Sequence, residues 1–176
     1  MGYSLGGRMA LGLYEMNSSM TRRLILLAPD GLKVNFWYWL STQTWLGNRI
    51  FRYTMYHPAW FFAMLKIFNR LGFVNASIFK FVNYYIGDAG VRQQLYARWT
   101  ALRKVRPGIG VIKKNIPAFR TRVHLIYGRH DRIILPSVGE KFRKGIESFS
   151  HISIINSGHQ VLQEKHVGEI LPALLR

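Results

Sequence analysis

The chain has 176 residues, of which 49% are hydrophobic and 19% charged, a length and mix that suit a globular protein and exclude a disordered one. No cysteine is present, so a disulfide framework, a thiolate metal site and a cysteine nucleophile are all excluded. The formal charge is +17, from 25 Lys and Arg against 8 Asp and Glu; with no signal pattern at Met1 and no uncharged apolar run long enough to span a bilayer, a cytoplasmic setting is expected.

In chain order, Gly2, Ser4 and Gly6 come first and spell G-x-S-x-G. A serine on a sharp strand-to-helix turn sits in strained backbone geometry, and its neighbours must lack side chains for the turn to close, a need that Gly2 and Gly6 are expected to meet. Such a turn also leaves the Leu5 N–H free at a helix start, where backbone donors and the helix dipole favour an anion. A glycine-rich loop would give the same five letters, so the context matters. Leu5, Met9, Leu13 and Met16 recur at helical spacing with Arg8 and Glu15 off that stripe, which predicts a helix opening at the serine and ending near Asn17. Arg23 to Pro29 is a short apolar run stopped by proline and predicts a buried parallel strand. The strand that should precede the serine is expected upstream, since the sequence begins one residue before Gly2.

The stretch from about 33 to 115 has a different character. Between Asp30 and Asp131 the only acid is Asp88, while Lys and Arg recur throughout, and large aromatics cluster at Phe36-Trp37-Tyr38-Trp39, Trp60-Phe61-Phe62 and Tyr84-Tyr85. Helices are predicted over Trp60 to Leu71, with Lys66 and Arg70 on the wet side, over Ala76 to Tyr85, and over Val91 to Val105, with Leu95, Trp99 and Leu102 on one face. The plainest account is a helical layer whose aromatics pack inward while Lys and Arg keep it soluble. Basic charge mixed with aromatics also fits an anionic membrane surface, contacted peripherally, or an acidic substrate. No RNA- or DNA-binding motif is found, so nucleic acid is not the expected partner.

Strand and helix alternation returns after about 116. Arg122 to Tyr127 reads as a strand running into the turn Gly128-Arg129-His130-Asp131; Pro136 opens a helix with Val138, Phe142 and Ile146 on one face; His151 to Ile155 is a further strand followed by Asn156-Ser157-Gly158-His159. A closing helix carries Val167, Ile170, Leu171 and Leu174 on one side, and Pro172 should kink or split it. Asp131 and His159 thus stand just past the carboxyl ends of strands, the edge where open α/β sheets build their sites. Alone, Asp131 between Arg129 and Arg132 also reads as a salt-bridged turn, and His159 as a loop residue. His57, His124, His130, His151 and His166 read as structural or surface residues, with no metal-ligand spacing and no cofactor motif.

The chain order Ser4, Asp131, His159 is one of three orders known for serine, acid and histidine triads. The segments GYSLGG, YGRHDRIILP and NSGH resemble the α/β-hydrolase family, in particular its capped esterases and carbon-carbon bond hydrolases. The resemblance implies an α/β fold of parallel strands with flanking helices, truncated at its N-terminus, in which residues 1–32 and 116–176 form the core and 33–115 an inserted helical cap. It implies that Ser4 attacks a carbonyl, that His159 shuttles the proton and that Asp131 orients the imidazole. Asp30 is the alternative acid, because some relatives place it after the earlier strand. The Leu5 N–H would be one oxyanion donor; the family's second donor matches no residue here, a loss that typically costs about 100- to 1000-fold in rate. The implied substrate is a small apolar acyl compound, anionic as one option, and no cofactor is needed. The reading from a different class is a catalytically silent fragment or binding protein whose basic aromatic layer contacts anionic membranes or a partner chain.

Overall fold

The computed structural model describes residues 1–34, 36–73, 82–83 and 86–175. Two compact units emerge: Met1–Lys33 with Val105–Arg176, and Val34–Lys104 between them in sequence. The first unit is built on four parallel strands in the order β1 (Gly2–Tyr3), β2 (Arg23–Leu27), β3 (Arg122–Gly128) and β4 (Ser150–Ile155). β1 is short but present: Gly2 pairs with Leu26 and Tyr3 with Leu27. The two residues before the serine are therefore already in the sheet, at its β1 edge, where the sequence pattern was too short to read as a strand.

Period-two alternation decides which side chains go where. Leu24, Leu26, Val123, Leu125 and Tyr127 point to one face and pack with Leu11 and Tyr14 of α1 (Leu5–Met16), Ile112 and Ile116 of α6 (Ile109–Ala118), and Phe142 of α7 (Pro136–Arg143). Ile25, Leu27, Ile126 and Ile155 point to the other, against Ile170 and Ala173 of α8 (Val167–Leu175). Near-continuous apolar runs on β2 and β3 are what a parallel strand covered on both faces requires. Residues 105–115, which the sequence groups with the helical stretch, belong to this unit because Ile112 and Ile116 are fully buried in its core.

Two helices bury a different face from the one their spacing suggests. On α1 the covered residues are Gly7, Arg8, Leu11 and Tyr14, while Met9, Leu13 and Met16 are exposed. Leu11 and Tyr14 satisfy helical spacing as well as the Met9 stripe does, and the side that meets the sheet is set by Gly7, whose missing side chain lets the helix lie against Pro29. On α8, among the described side chains, Ile170 and Ala173 are the apolar residues that enter the core, whereas Val167, Leu171 and Leu174 line an apolar groove with Met1 and Leu162. Pro172 does not split α8, which runs as one element through it.

The second unit is helical. It contains α2 (Phe36–Gln43), α3 (Trp45–Tyr56), α4 (Ala59–Arg70) and α5 (Ala89–Ala101). Thr44 caps α3 by accepting from the Gly47 N–H, and Asp88 caps α5 by accepting from Val91. Trp99 joins α5 to both neighbours, with its ring 5.1 Å from Tyr38 and 5.5 Å from Phe51. Leu95, Trp99 and Leu102 are half-buried on this side, and Lys66 and Arg70 are exposed, as their spacing predicts. The aromatics do not all pack inward: Tyr38 is buried, but Phe36, Trp37, Trp39, Trp45 and Trp60 are exposed. The helix expected over Ala76 to Tyr85 lies largely outside the described residues.

The face of α1 can be tested directly. Leu11→Ala should lower the unfolding free energy in urea by about 2–5 kcal/mol, the range for a fully buried leucine, whereas Leu13→Ala should change it by no more than about 0.5 kcal/mol.

Candidate active site

Ser4 sits between β1 and α1 with φ 50° and ψ −119°, in the positive-φ region that L-residues occupy only when the surroundings impose it. Gly2 is needed here because a Cβ on it would collide with the backbone of Gly6 and Gly7. The expectation for Gly6 is corrected: a Cβ there would meet nothing within 4 Å, and the tight glycine is Gly7, where it would lie 2.6 Å from the Pro29 side chain. Leu5 is the first residue of α1, so its N–H is one of the helix's first-turn donors that have no intrahelical acceptor.

β3 and β4 deliver the other two side chains. The Ser4 Oγ lies 3.0 Å from His159 Nε2, and His159 Nδ1 lies 2.8 Å from Asp131 Oδ2. The loops that carry Asp131 and His159 are tied together: the His130 N–H donates to the Ser157 carbonyl at 2.9 Å, and Gly128 is approached so closely by the Ser157 and Gly158 carbonyls that no Cβ fits. Asp131 Oδ1 accepts from the N–H groups of Ile133 and Ile134 at 2.7 and 3.0 Å. Burial alone would raise the Asp131 pKa, but the His159 hydrogen bond and the Ile134 and Ile133 donors outweigh it and hold the carboxyl below the ordinary aspartate value. Beneath the site, the buried Tyr127 hydroxyl is pushed well above the usual tyrosine range by burial first and then by the charges of Asp131 and Glu140.

The structure thus brings Ser4, His159 and Asp131 into one hydrogen-bonded line. Asp30 is elsewhere engaged: its Oδ2 lies 2.8 Å from Arg8 Nη2, and Oδ1 accepts from the Gly31 N–H at 2.7 Å. Among the remaining histidines, His130 bonds Asn156, His166 pairs with Glu169, His124 and His151 face each other across β3 and β4, and His57 stacks on Tyr53. No group of three or more metal-ligand side chains occurs among the described residues. No helix there is long and apolar enough to cross a membrane.

One neighbour of the site was not legible beforehand. The Tyr3 hydroxyl donates to the His159 carbonyl at 3.2 Å, and its ring lies 5.6 Å from the imidazole. The only local hint was an aromatic immediately before the serine.

An open parallel sheet with a strained serine at one strand end, and an acid and a histidine at two others, defines an α/β protein whose Ser4 turn has the sharp strand-to-helix form that the G-x-S-x-G pattern predicts. The comparisons narrow the fold. No protein-family model and no curated protein matches the chain. Among solved structures it is similar to an α/β-hydrolase enzyme from the metagenome of lagoon sediments at Mar Chica, Morocco, with TM-score 0.50, 17% identity and 99% of this chain and 57% of that one covered. It is similar to the 2-hydroxy-6-oxo-6-phenylhexa-2,4-dienoate hydrolase of Rhodococcus sp. strain RHA1, with TM-score 0.51, 18% identity and 99% and 63% covered. A carboxylesterase structure from the thaumarchaeon Nitrososphaera gargenis gives TM-score 0.58, 13% identity and 99% and 62% covered. The chain therefore carries part of the α/β-hydrolase fold, spanning about 60% of the length of these structures.

A consequence for stability follows from Asp131. Its folded pKa lies below its unfolded one, so the stability it contributes is present above the unfolded value of about 3.9 and is lost as pH falls through the folded value. Urea unfolding as a function of pH should show wild-type stability declining below about pH 4, and Asp131→Asn should flatten that acid-side slope while lowering stability at neutral pH.

Proposed function

We propose that the chain is the catalytic part of a serine hydrolase that cleaves an ester or related acyl bond, with carbon-carbon cleavage as the neighbouring chemistry. The observation that carries this reading is the continuous line from Ser4 Oγ through His159 to Asp131, at 3.0 and 2.8 Å, standing at the carboxyl ends of parallel strands. In this reading His159 carries its proton on Nδ1, held by the Asp131 carboxylate, so Nε2 accepts from the Ser4 hydroxyl. As Ser4 Oγ attacks the substrate carbonyl, Nε2 takes the proton; it then returns that proton to the leaving group, and the acyl-enzyme is released by water on the same path. Asp131 suits its part because it stays ionised and can stabilise the imidazolium that forms. The Leu5 N–H, at the start of α1, is assigned as an oxyanion donor. Substrate choice is assigned to the helical unit as a cap, whose exposed aromatic and basic surface matches an apolar acyl group, anionic as one option.

Labelling by a fluorophosphonate should mark Ser4 and vanish in Ser4→Ala. Asp131→Asn should slow labelling by roughly 10³- to 10⁴-fold, since the amide no longer holds the productive tautomer. A folded wild-type chain that stays unlabelled would refute the reading.

A specific observation favours a second reading, contact with an anionic membrane surface. On α3 the exposed Trp45, Leu46, Ile50 and Tyr53 share a side with Arg49, whose guanidinium lies 4.8 Å over the Trp45 ring. Aromatics and arginine on one helix face suit a headgroup boundary. Co-sedimentation with vesicles containing phosphatidylserine should occur at low salt and weaken as salt screens the attraction; no binding at low salt removes this reading.

A further inference from the structure

The Ser4 peptide is gripped from both sides by the chain leaving β2. Its N–H donates to the Leu27 carbonyl at 2.9 Å, and its carbonyl accepts from the Asp30 N–H at 2.9 Å as well as from Gly7 at 2.8 Å. The turn that supplies the Asp30 donor is itself in costly geometry at Ala28, with φ 39°, and uses Gly31 at φ 100°, which glycine adopts freely. A non-glycine residue keeps a positive φ only where its surroundings over-determine it.

Arg8 and Asp30 supply that determination. Asp30 uses one carboxylate oxygen to close the turn onto the Gly31 N–H and the other to meet Arg8 Nη2 at 2.8 Å. Arg8 stands one helical turn after Ser4 on α1, with its side chain only 6% exposed. The turn also lies flat on the arginine stem, because a Cβ on Gly31 would come within 3.1 Å of the Arg8 Cα, Cβ and Cγ. On the same helix face, Gly7 sits against Pro29 of that turn.

We propose that the Arg8–Asp30 ion pair is a positioning device for the nucleophile: it locks the 28–31 turn to the first turn of α1 and so holds the Ser4 peptide in the strained geometry that aims Oγ at His159. The kinetic part rests on the hydrolase reading of Ser4; the mechanical part does not. Asp30 thereby acts through the elbow backbone and Asp131 through the imidazole, two acids with two separate tasks. A carboxylate left part-buried without its cation would be released toward water and take the turn with it.

The test compares the intact chain with Arg8→Met, Asp30→Asn and the double variant. Hydrogen exchange is followed in peptides covering residues 2–8 and 28–31, and fluorophosphonate labelling of Ser4 is followed across pH. Each single change should speed exchange in both segments together and slow labelling about 10- to 100-fold, the cost of a displaced reacting group. The double variant should lose no more than Arg8→Met alone, because the ion pair that Asp30→Asn removes is already gone there. The midpoint of the labelling pH profile should stay at the wild-type value in Asp30→Asn. Should Arg8→Met fail to fold, Asp30→Asn decides, since its amide oxygen still closes the turn on Gly31 while the ion pair is gone. Unchanged exchange over residues 2–8 overturns the proposal whatever labelling does, and a shifted pH midpoint in Asp30→Asn overturns it by showing that Asp30 acts on the histidine. An unlabelled wild type refutes the hydrolase reading alone, and the exchange measurement still decides the clamp.

Discussion

The Ser4 backbone, with φ 50°, is the constraint on which the rest of the sheet unit depends. Holding one residue in such a conformation costs about 1–3 kcal/mol, and the neighbouring bonds are arranged to meet that cost. β2 supplies the Leu27 carbonyl, the turn after β2 supplies the Asp30 N–H, and α1 supplies the Gly7 N–H. Remove the register between β1 and β2 and two of these three lose their place. The same register keeps the serine at the carboxyl edge of the sheet, where the loops after β3 and β4 reach it.

The acid and the histidine are fixed by a second set of close approaches. Gly128 leaves room for the Ser157 and Gly158 carbonyls, so the two loops can share hydrogen bonds as near neighbours. The Asp131 side chain is fully buried, while His159 is part-buried, with 15% of its side chain exposed. A buried carboxylate is tolerated only when its oxygens are occupied, and here Oδ2 meets the imidazole while Oδ1 takes two backbone N–H groups. Satisfying the charge and orienting the histidine are thus one arrangement.

The helical unit follows different rules. Its described helices meet through aromatic edges around Trp99, Tyr38 and Phe51, and much of its apolar surface stays exposed. Isolated exposed aromatics need no explanation; here a series of them lies on a strongly basic background, and the proposed apolar or anionic partner rests on that surface. That contrast with the sheet unit, whose apolar strands are covered on both faces, is why the two units support different parts of the functional reading.

The sequence by itself determined the residue types and their order. Short apolar runs such as Arg23 to Pro29 and Arg122 to Tyr127 read as buried parallel strands, and the places of Asp131 and His159 just past β3 and β4 follow from such runs, whereas β1, two residues long, emerged only from its pairing with β2. Helical spacing also foretold α1, yet not which side of it would be covered. Periodicity defines a stripe but not its partner, and Met9, Leu13 and Met16 form as regular a stripe as Gly7, Leu11 and Tyr14. Only the packed sheet chose between them. The choice of Asp131 over Asp30 as the neighbour of His159, the need for Gly7 where Gly6 was expected, and the burial of Arg8 were likewise decided by tertiary structure. Each depends on atoms brought together from distant parts of the chain, as with Ser4 and His159 across 155 positions, and no local pattern encodes that distance.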